Sequence, residues 1–260
     1  MSRLDETPPR LSEVVGIFRQ RMPAAVLSRH VDRVWINELR GPTALDVVPD
    51  GCIDIYWSGG SLQIAGPNTE VVTLTMPSAA RLAGVRFHPG VAGRWLGVPA
   101  SQLVNQHQSL GEVWDRRTID ELSDRLAHAT SAPAAARAME EALIARLPEV
   151  APADPIVEAT VAAMTGAGAA TQSVIGELIA DFGWSERTLR RHSHEAFGYG
   201  PKTLERILRF QRFLRLLPTA RAPLAVLASE AGYADQAHLA REVRRLSGQS
   251  PSGLMAELRA

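Results

Sequence analysis

Six side chains in the last third of the chain have the types and spacing to read a nucleic acid. Arg187, Arg190 and Arg191 lie in ERTLRRHSHEAF, and Gln236, His238 and Arg241 lie in QAHLAREVRRLSG. If both segments are helical, residues at i, i+3 and i+4 fall on one face. The arginines then form a cluster near the N-terminal half of the first helix, and Gln236, His238 and Arg241 lie towards the outer face of the second. A guanidinium can pair bidentately with guanine O6 and N7, and a glutamine amide with adenine N6 and N7. Each such pair contributes about 1–3 kcal/mol of discrimination between bases. Ser185, Arg244 and Arg245 are placed to meet phosphates, which orient a protein on the duplex without reading sequence. Arginine is well suited to both tasks. The chain has one lysine, Lys202, against 27 arginines, but that bias runs along its whole length, and a coding bias accounts for it equally well.

Two repeated units must position these groups. In the first, residues 173–198, Ser173 can cap a helix carrying Val174, Ile175, Leu178 and Ile179 on its apolar side. Asp181, Phe182 and Gly183 break it, Trp184 anchors the turn, and Ser185 caps the second helix, which Gly198 ends. In the second unit, residues 223–248, LAVLASEA is followed by Gly232, Tyr233 and the capping Asp235, and Gly248 closes the reading helix. Residues 201–217, PKTLERILRFQRFLRLL, predict a connecting helix roughly 25 Å long at 1.5 Å per residue. Such a rod would hold two reading helices about one duplex turn, some 34 Å, apart. Its Arg206, Arg209, Arg212 and Arg215 recur every third residue and so wrap around the helix; pairing with Glu205 or with the N-terminal part is expected for some of them.

Charge agrees with this reading. Residues 173–260 carry 13 Lys and Arg against 9 Asp and Glu, whereas residues 1–172 carry 15 against 19. A basic segment beside an acidic one suits an anionic partner for the basic part.

The stretches GWSERTLRRHSHEAFGYGPKTL and AVLASEAGYADQAHLAREVRRLSGQSPSGL resemble the AraC/XylS family of bacterial transcription regulators, over Ser173 to Ala260. The resemblance implies a double helix-turn-helix domain. It also implies base contacts through positions matching Arg187, Arg190 and Arg191 in the first unit, and Gln236, Ala237, His238 and Arg241 in the second. Ser193 departs from the pattern, standing where the family often has a bulky apolar residue. Towards the N-terminus, VVPDGCIDIYWSGG, GVRFHPG and WLGVPASQL resemble an uncharacterised, cupin-like sensor region of some members.

Outside these stretches the pattern is different. Residues 28–90 form short β-rich runs punctuated by Gly and Pro, which predicts a small antiparallel barrel or sandwich. Residues 91–147 read as helices, including SQLVNQHQSLGEVW, and the proline-rich stretch 148–155 as a linker. The expected architecture is α+β: a sensor domain over 1–150 and an all-α DNA-binding domain over 155–260. Trp35, Asp54, Tyr56, Trp57, Arg86 and His88 are candidates to line a ligand pocket in the β-rich part. No catalytic group, phosphate-cradling glycine loop or metal motif is evident, so neither an enzyme nor a cofactor is expected. His192 and His194, two residues apart on a helix, point about 200° apart and cannot chelate one ion. The only cysteine, Cys52, reads as a small core residue after the Asp50-Gly51 turn. Neither a signal pattern nor an apolar run of membrane-spanning length is evident, which places the expected protein in the cytoplasm. Its expected partners are double-stranded DNA, RNA polymerase, a small-molecule effector and a second copy in a homodimer, with no membrane. The alternative is an N-terminal domain that is an enzyme or serves only to dimerise.

Overall fold

The computed structural model describes residues 16–76, 78–165, 174–219 and 222–257. Eight strands come first: β1 (Gly16–Arg21), β2 (Val31–Leu39), β3 (Thr43–Val47), β4 (Asp54–Ser58), β5 (Ser61–Ala65), β6 (Val72–Met76), β7 (Ala80–Phe87) and β8 (His107–Ser109). Six of them form an antiparallel sheet in the order β1-β2-β7-β4-β5-β8, and β3 pairs with β6 in a separate two-stranded layer. The sheet does not close into a barrel.

Alternation along the strands decides what each face of the large sheet meets. One face presents Val34 and Ile36 of β2, Ile55 of β4, and Ala83, Val85 and Phe87 of β7. It packs against the helices α1 (Ala92–Leu96), α2 (Arg116–Ala127) and α3 (Ala132–Arg146). The opposite face presents Trp35 and Leu39 of β2, Tyr56 of β4 and Leu82 of β7, which meet Leu45 and Leu74 of the β3–β6 layer. The central strand β7 is therefore covered on both sides, which is why the sequence ARLAGVRF, rather than strict polar alternation, fills it.

Strands extend beyond the expected β-rich limits on both sides. β1 precedes residue 28 and pairs along its full length with β2; its two arginines had masked the alternation. SQLVNQHQSLGEVW, expected to be helical, is not an α-helix. Asn105 has φ of 56°, which interrupts any helix, and His107–Ser109 add instead to the edge of β5.

The second half is helical: α4 (Pro155–Thr165), α5 (Val174–Phe182), α6 (Glu186–Phe197), α7 (Pro201–Leu216), α8 (Leu224–Glu230), α9 (Gln236–Ser247) and α10 (Pro251–Glu257). Ser173, the expected cap of α5, lies outside the described residues. Their shared core contains Leu189 and Phe197 of α6, Ile207, Phe210 and Phe213 of α7, and Leu239, Val243 and Leu246 of α9. Each such side chain, fully buried, stabilises the fold by about 1.5–3 kcal/mol.

The two halves touch through close backbone approaches. At Gly90, between the last large strand and α1, a Cβ would lie 2.5 Å from Val157 and 2.6 Å from the Phe197 ring. At Gly198, just after α6, it would lie 2.5 Å from Val104 Cγ2 and 2.9 Å from Ala100 O. The sheet domain thus abuts the C-terminal end of α6. Nearby, Gln211 Nε2 of α7 donates to Pro49 O at 2.7 Å, and Leu204 and Leu208 of α7 pack over Gly51.

Candidate nucleic-acid interface and effector cavity

The helix α6, which carries the first candidate cluster, is capped by Ser185, whose Oγ accepts from Thr188 N at 3.0 Å. This cap satisfies one of the amides that a helix start leaves unpaired. With Leu189, Ser193 and Phe197 turned into the core, Arg187, Arg190 and Arg191 are all exposed, as is Ser185 itself. His192 is held away from that face: its Nδ1 donates to Asp154 Oδ2 at 2.5 Å, tying α6 to the start of α4. Burial opposes ionisation of Asp154, but the bonds from His192 and from Ile156 N outweigh it and hold the carboxyl below its ordinary range. Ser193 is 1% exposed, and its hydroxyl has no hydrogen-bond partner among the described residues. Ser193 therefore leaves an unsatisfied polar atom in the core of the first unit.

The helix α9, which carries the second candidate cluster, repeats the design. Asp235 Oδ1 accepts from His238 N at 2.6 Å, and Gly232 turns the chain with φ of 88°. Gln236, Ala237, Arg241, Arg244 and Arg245 are exposed. His238 is half-buried, its ring edge-on to Tyr233 with centroids 5.3 Å apart.

The arginines of α7 have a different use. Arg206 Nε donates to Glu242 Oε2 of α9 at 2.6 Å, and Arg209 pairs with Glu205 at 2.7 Å while lying over the Tyr233 ring. Arg212 donates to the carbonyls of Ala231 and Met164. Three of the four guanidiniums staple the connecting helix to its neighbours, and burial lowers the pKa of the fourth, Arg215. Gln211, rather than these arginines, donates from α7 to the sheet domain.

In the N-terminal half, a cavity of about 110 Å³ lies between the large sheet, the β3–β6 layer and α7. Trp35, Asp54, Tyr56 and Arg86 line it. Asp54 accepts from Arg86 Nε and Nη2, both at 2.8 Å, and from Trp35 Nε1 at 3.1 Å. Arg86 also reaches Asp50 at 3.3 Å, and Asp50 Oδ1 accepts from Cys52 N, closing the turn. Removing one partner of so buried a pair leaves an uncompensated charge, at a cost of about 3–5 kcal/mol. Burial raises the pKa of the Tyr56 hydroxyl, with the Asp54 charge adding to the effect.

Two of the sequence candidates lie elsewhere. Trp57 follows Tyr56 by one residue, so the pleat turns it to the opposite face, against the helix-covered core. His88 sits past the end of β7, its Nε2 within 3.1 Å of Ser28 O. Conversely, the cavity wall includes Asn37, His107, Gln211 and Leu214, none of which was singled out in the sequence. Asn37 carried a signal, since it stands two residues after Trp35 on β2 and so shares its face. Gln211 and Leu214 carried none, because nothing in a helical repeat says that it will roof a distant sheet.

Comparison with known proteins bears on both halves. Residues 178–257 match the family described as a helix-turn-helix domain. The C-terminal part of this chain is an AraC-type helix-turn-helix domain. With that domain the chain is a DNA-binding transcription regulator. Residues 19–109 match a domain of unknown function, DUF6597, which spans nearly all of the sheet. No curated protein matches the chain. Among solved structures, ToxT from Vibrio cholerae is 9% identical, with a TM-score of 0.48 over 87% of this chain and 98% of that one. An unsaturated fatty acid-bound form of ToxT is 10% identical, with a TM-score of 0.45 over 85% and 94%. A probable AraC family transcriptional regulator from Rhodopseudomonas palustris is 23% identical, with a TM-score of 0.37 over 41% of this chain and all of that one. No helix among the described residues is long and apolar enough to cross a membrane.

Proposed function

We propose that this regulator reads bases with Arg187, Arg190 and Arg191 of α6 and with Gln236, His238 and Arg241 of α9. Ser185, Arg244 and Arg245 meet phosphates. A small molecule bound in the sheet domain, taken as residues 1–150, controls how the DNA-binding domain, taken as residues 155–260, meets its operator. The observation that carries the reading is the division of labour among arginines. Those of α6 and α9 project into solvent, whereas Arg206, Arg209 and Arg212 of α7 are engaged inside the domain.

The path of control runs through α7. Gln211 and Leu214 line the same cavity as Trp35 and Asp54, and α7 joins the two reading units. A ligand there touches the rod that sets the spacing of α6 and α9. It shifts DNA binding only as far as it prefers one arrangement of that rod over another.

The test is a genome-fragment binding selection with purified full-length protein at one fixed salt concentration, since affinity for DNA depends steeply on salt. Two short conserved blocks about one helical turn apart are expected. A single block would leave only one unit reading DNA, and no enrichment in the absence or presence of a cell extract of small molecules would refute the reading.

A further inference from the structure

The cavity in the sheet domain is built for one shape of ligand and leaves polar atoms on its wall unmet. Its floor is the Trp35 indole. On the central strand β7, Gly84 stands in register with both Trp35 of β2 and Tyr56 of β4. A Cβ at Gly84 would lie 2.3 Å from the Trp35 ring. The missing side chain is what allows the indole to lie across the strand. Its nitrogen donates to Asp54, itself gripped by Arg86, which fixes the rotation of the ring. Phe18 stacks beside it with centroids 6.2 Å apart, and Tyr56 flanks it at 6.3 Å. Aromatic faces held in this way favour a flat partner.

The cavity's volume of about 110 Å³ is somewhat smaller than the roughly 150 Å³ of an engineered cavity known to take up benzene. The space is therefore on the scale of a single six-membered ring. Two polar atoms on its wall are left over: Asn37 is 94% buried, and neither its Oδ1 nor His107 Nε2 has a hydrogen-bond partner among the described residues. An unmet carbonyl in such a place is costly, and a ligand that donates to it removes the cost. A carboxylate ligand gains less, because the guanidinium of Arg86 that would receive it already serves Asp54 and Asp50.

We infer that the cavity binds a planar, one-ring aromatic molecule bearing a hydrogen-bond donor that meets Asn37 Oδ1, such as a phenol or an aromatic amine. The inference rests on the proposed sensor role of this domain and names the chemistry of its effector.

Isothermal titration of the full-length protein with aniline, toluene and benzoate tests it, since the three share a ring and differ in the group it carries. Aniline is expected to bind at least tenfold more tightly than toluene, with benzoate weakest. Asn37→Leu is expected to reverse the order of aniline and toluene, and if that variant does not fold, the three probes on the unaltered protein decide alone. Benzoate binding as tightly as aniline, toluene matching aniline, or none of the three binding would each overturn the inference. Operator binding is measured on the same samples. Specific DNA binding with no uptake of any probe removes the ligand class and leaves the regulator standing. Uptake of aniline in the expected order with operator affinity unchanged leaves the site standing and removes its control over DNA.

Discussion

Replacing Gly198 by alanine should separate the sheet domain from the first reading helix. Two costs apply. Gly198 has φ of 87°, a conformation that costs an L-residue about 1–2 kcal/mol. The added methyl would also lie 2.5 Å from Val104 Cγ2, 2.9 Å from the Ala100 carbonyl and 3.2 Å from Pro67. The carbonyl belongs to backbone and cannot step aside, so overpacking adds about 1–3 kcal/mol. The expected loss is thus about 2–5 kcal/mol. Gly183 provides the control within the same unit: its φ is 65°, but no atom lies within 4 Å of where its Cβ would be. Gly183→Ala should therefore lose only the conformational part, about 1–2 kcal/mol. Urea unfolding of both variants, followed by tryptophan fluorescence and circular dichroism, measures the difference. If Gly198→Ala costs no more than Gly183→Ala, the end of α6 does not pack against the sheet domain and the reasoning fails. If the extra cost appears with an early transition by one probe only, the two halves have been uncoupled rather than destabilised as one unit.

Three further outcomes are expected. Ser193→Ala should raise stability by about 1 kcal/mol, because it removes a buried hydroxyl with no partner; a loss of stability in urea unfolding would mean that the hydroxyl is satisfied. Arg241→Ala should relax base preference at one position of the operator, whereas Arg244→Ala should weaken binding to all sequences alike and reduce the salt slope by about one, both read by titration over several salt concentrations. Asp154 is held below its ordinary range in the folded protein, so the stability it contributes is present above about pH 4 and is lost as pH falls through its folded value. Asp154→Asn should therefore lower the unfolding midpoint at pH 7 and leave it less sensitive to acid below pH 4; an unchanged acid limb would show that the bond with His192 does not stabilise α6 against α4.

Much of the DNA-reading half was legible in the sequence because its signals are local. A helix cap, a glycine turn and an apolar periodicity each act over a few residues. Ser185, Asp235, Gly198 and Gly248 therefore announced where α6 and α9 begin and end, and the same periodicity placed Arg187, Arg190, Arg191, Gln236 and Arg241 on their outer faces. Pairing across space carries no such local mark. That Arg206 would reach Glu242, that β1 would extend the sheet, and that Asn105 would take a left-handed conformation instead of continuing a helix were decided by partners far away in the chain. The cavity shows the same division. Strand alternation alone puts Trp35 and Asn37 on one face and separates Tyr56 from Trp57. Only the folded sheet brings Gly84 beneath the indole, sets Arg86 against Asp54 and lays Gln211 of α7 over the opening. The sequence by itself determined which residues each helix and strand turns to one side, since backbone periodicity is a property of the chain. Which sides face one another was settled by tertiary packing, where burial and polar pairing are won between segments tens of residues apart, as for Arg206 with Glu242, or more than a hundred, as for Gln211 with Pro49.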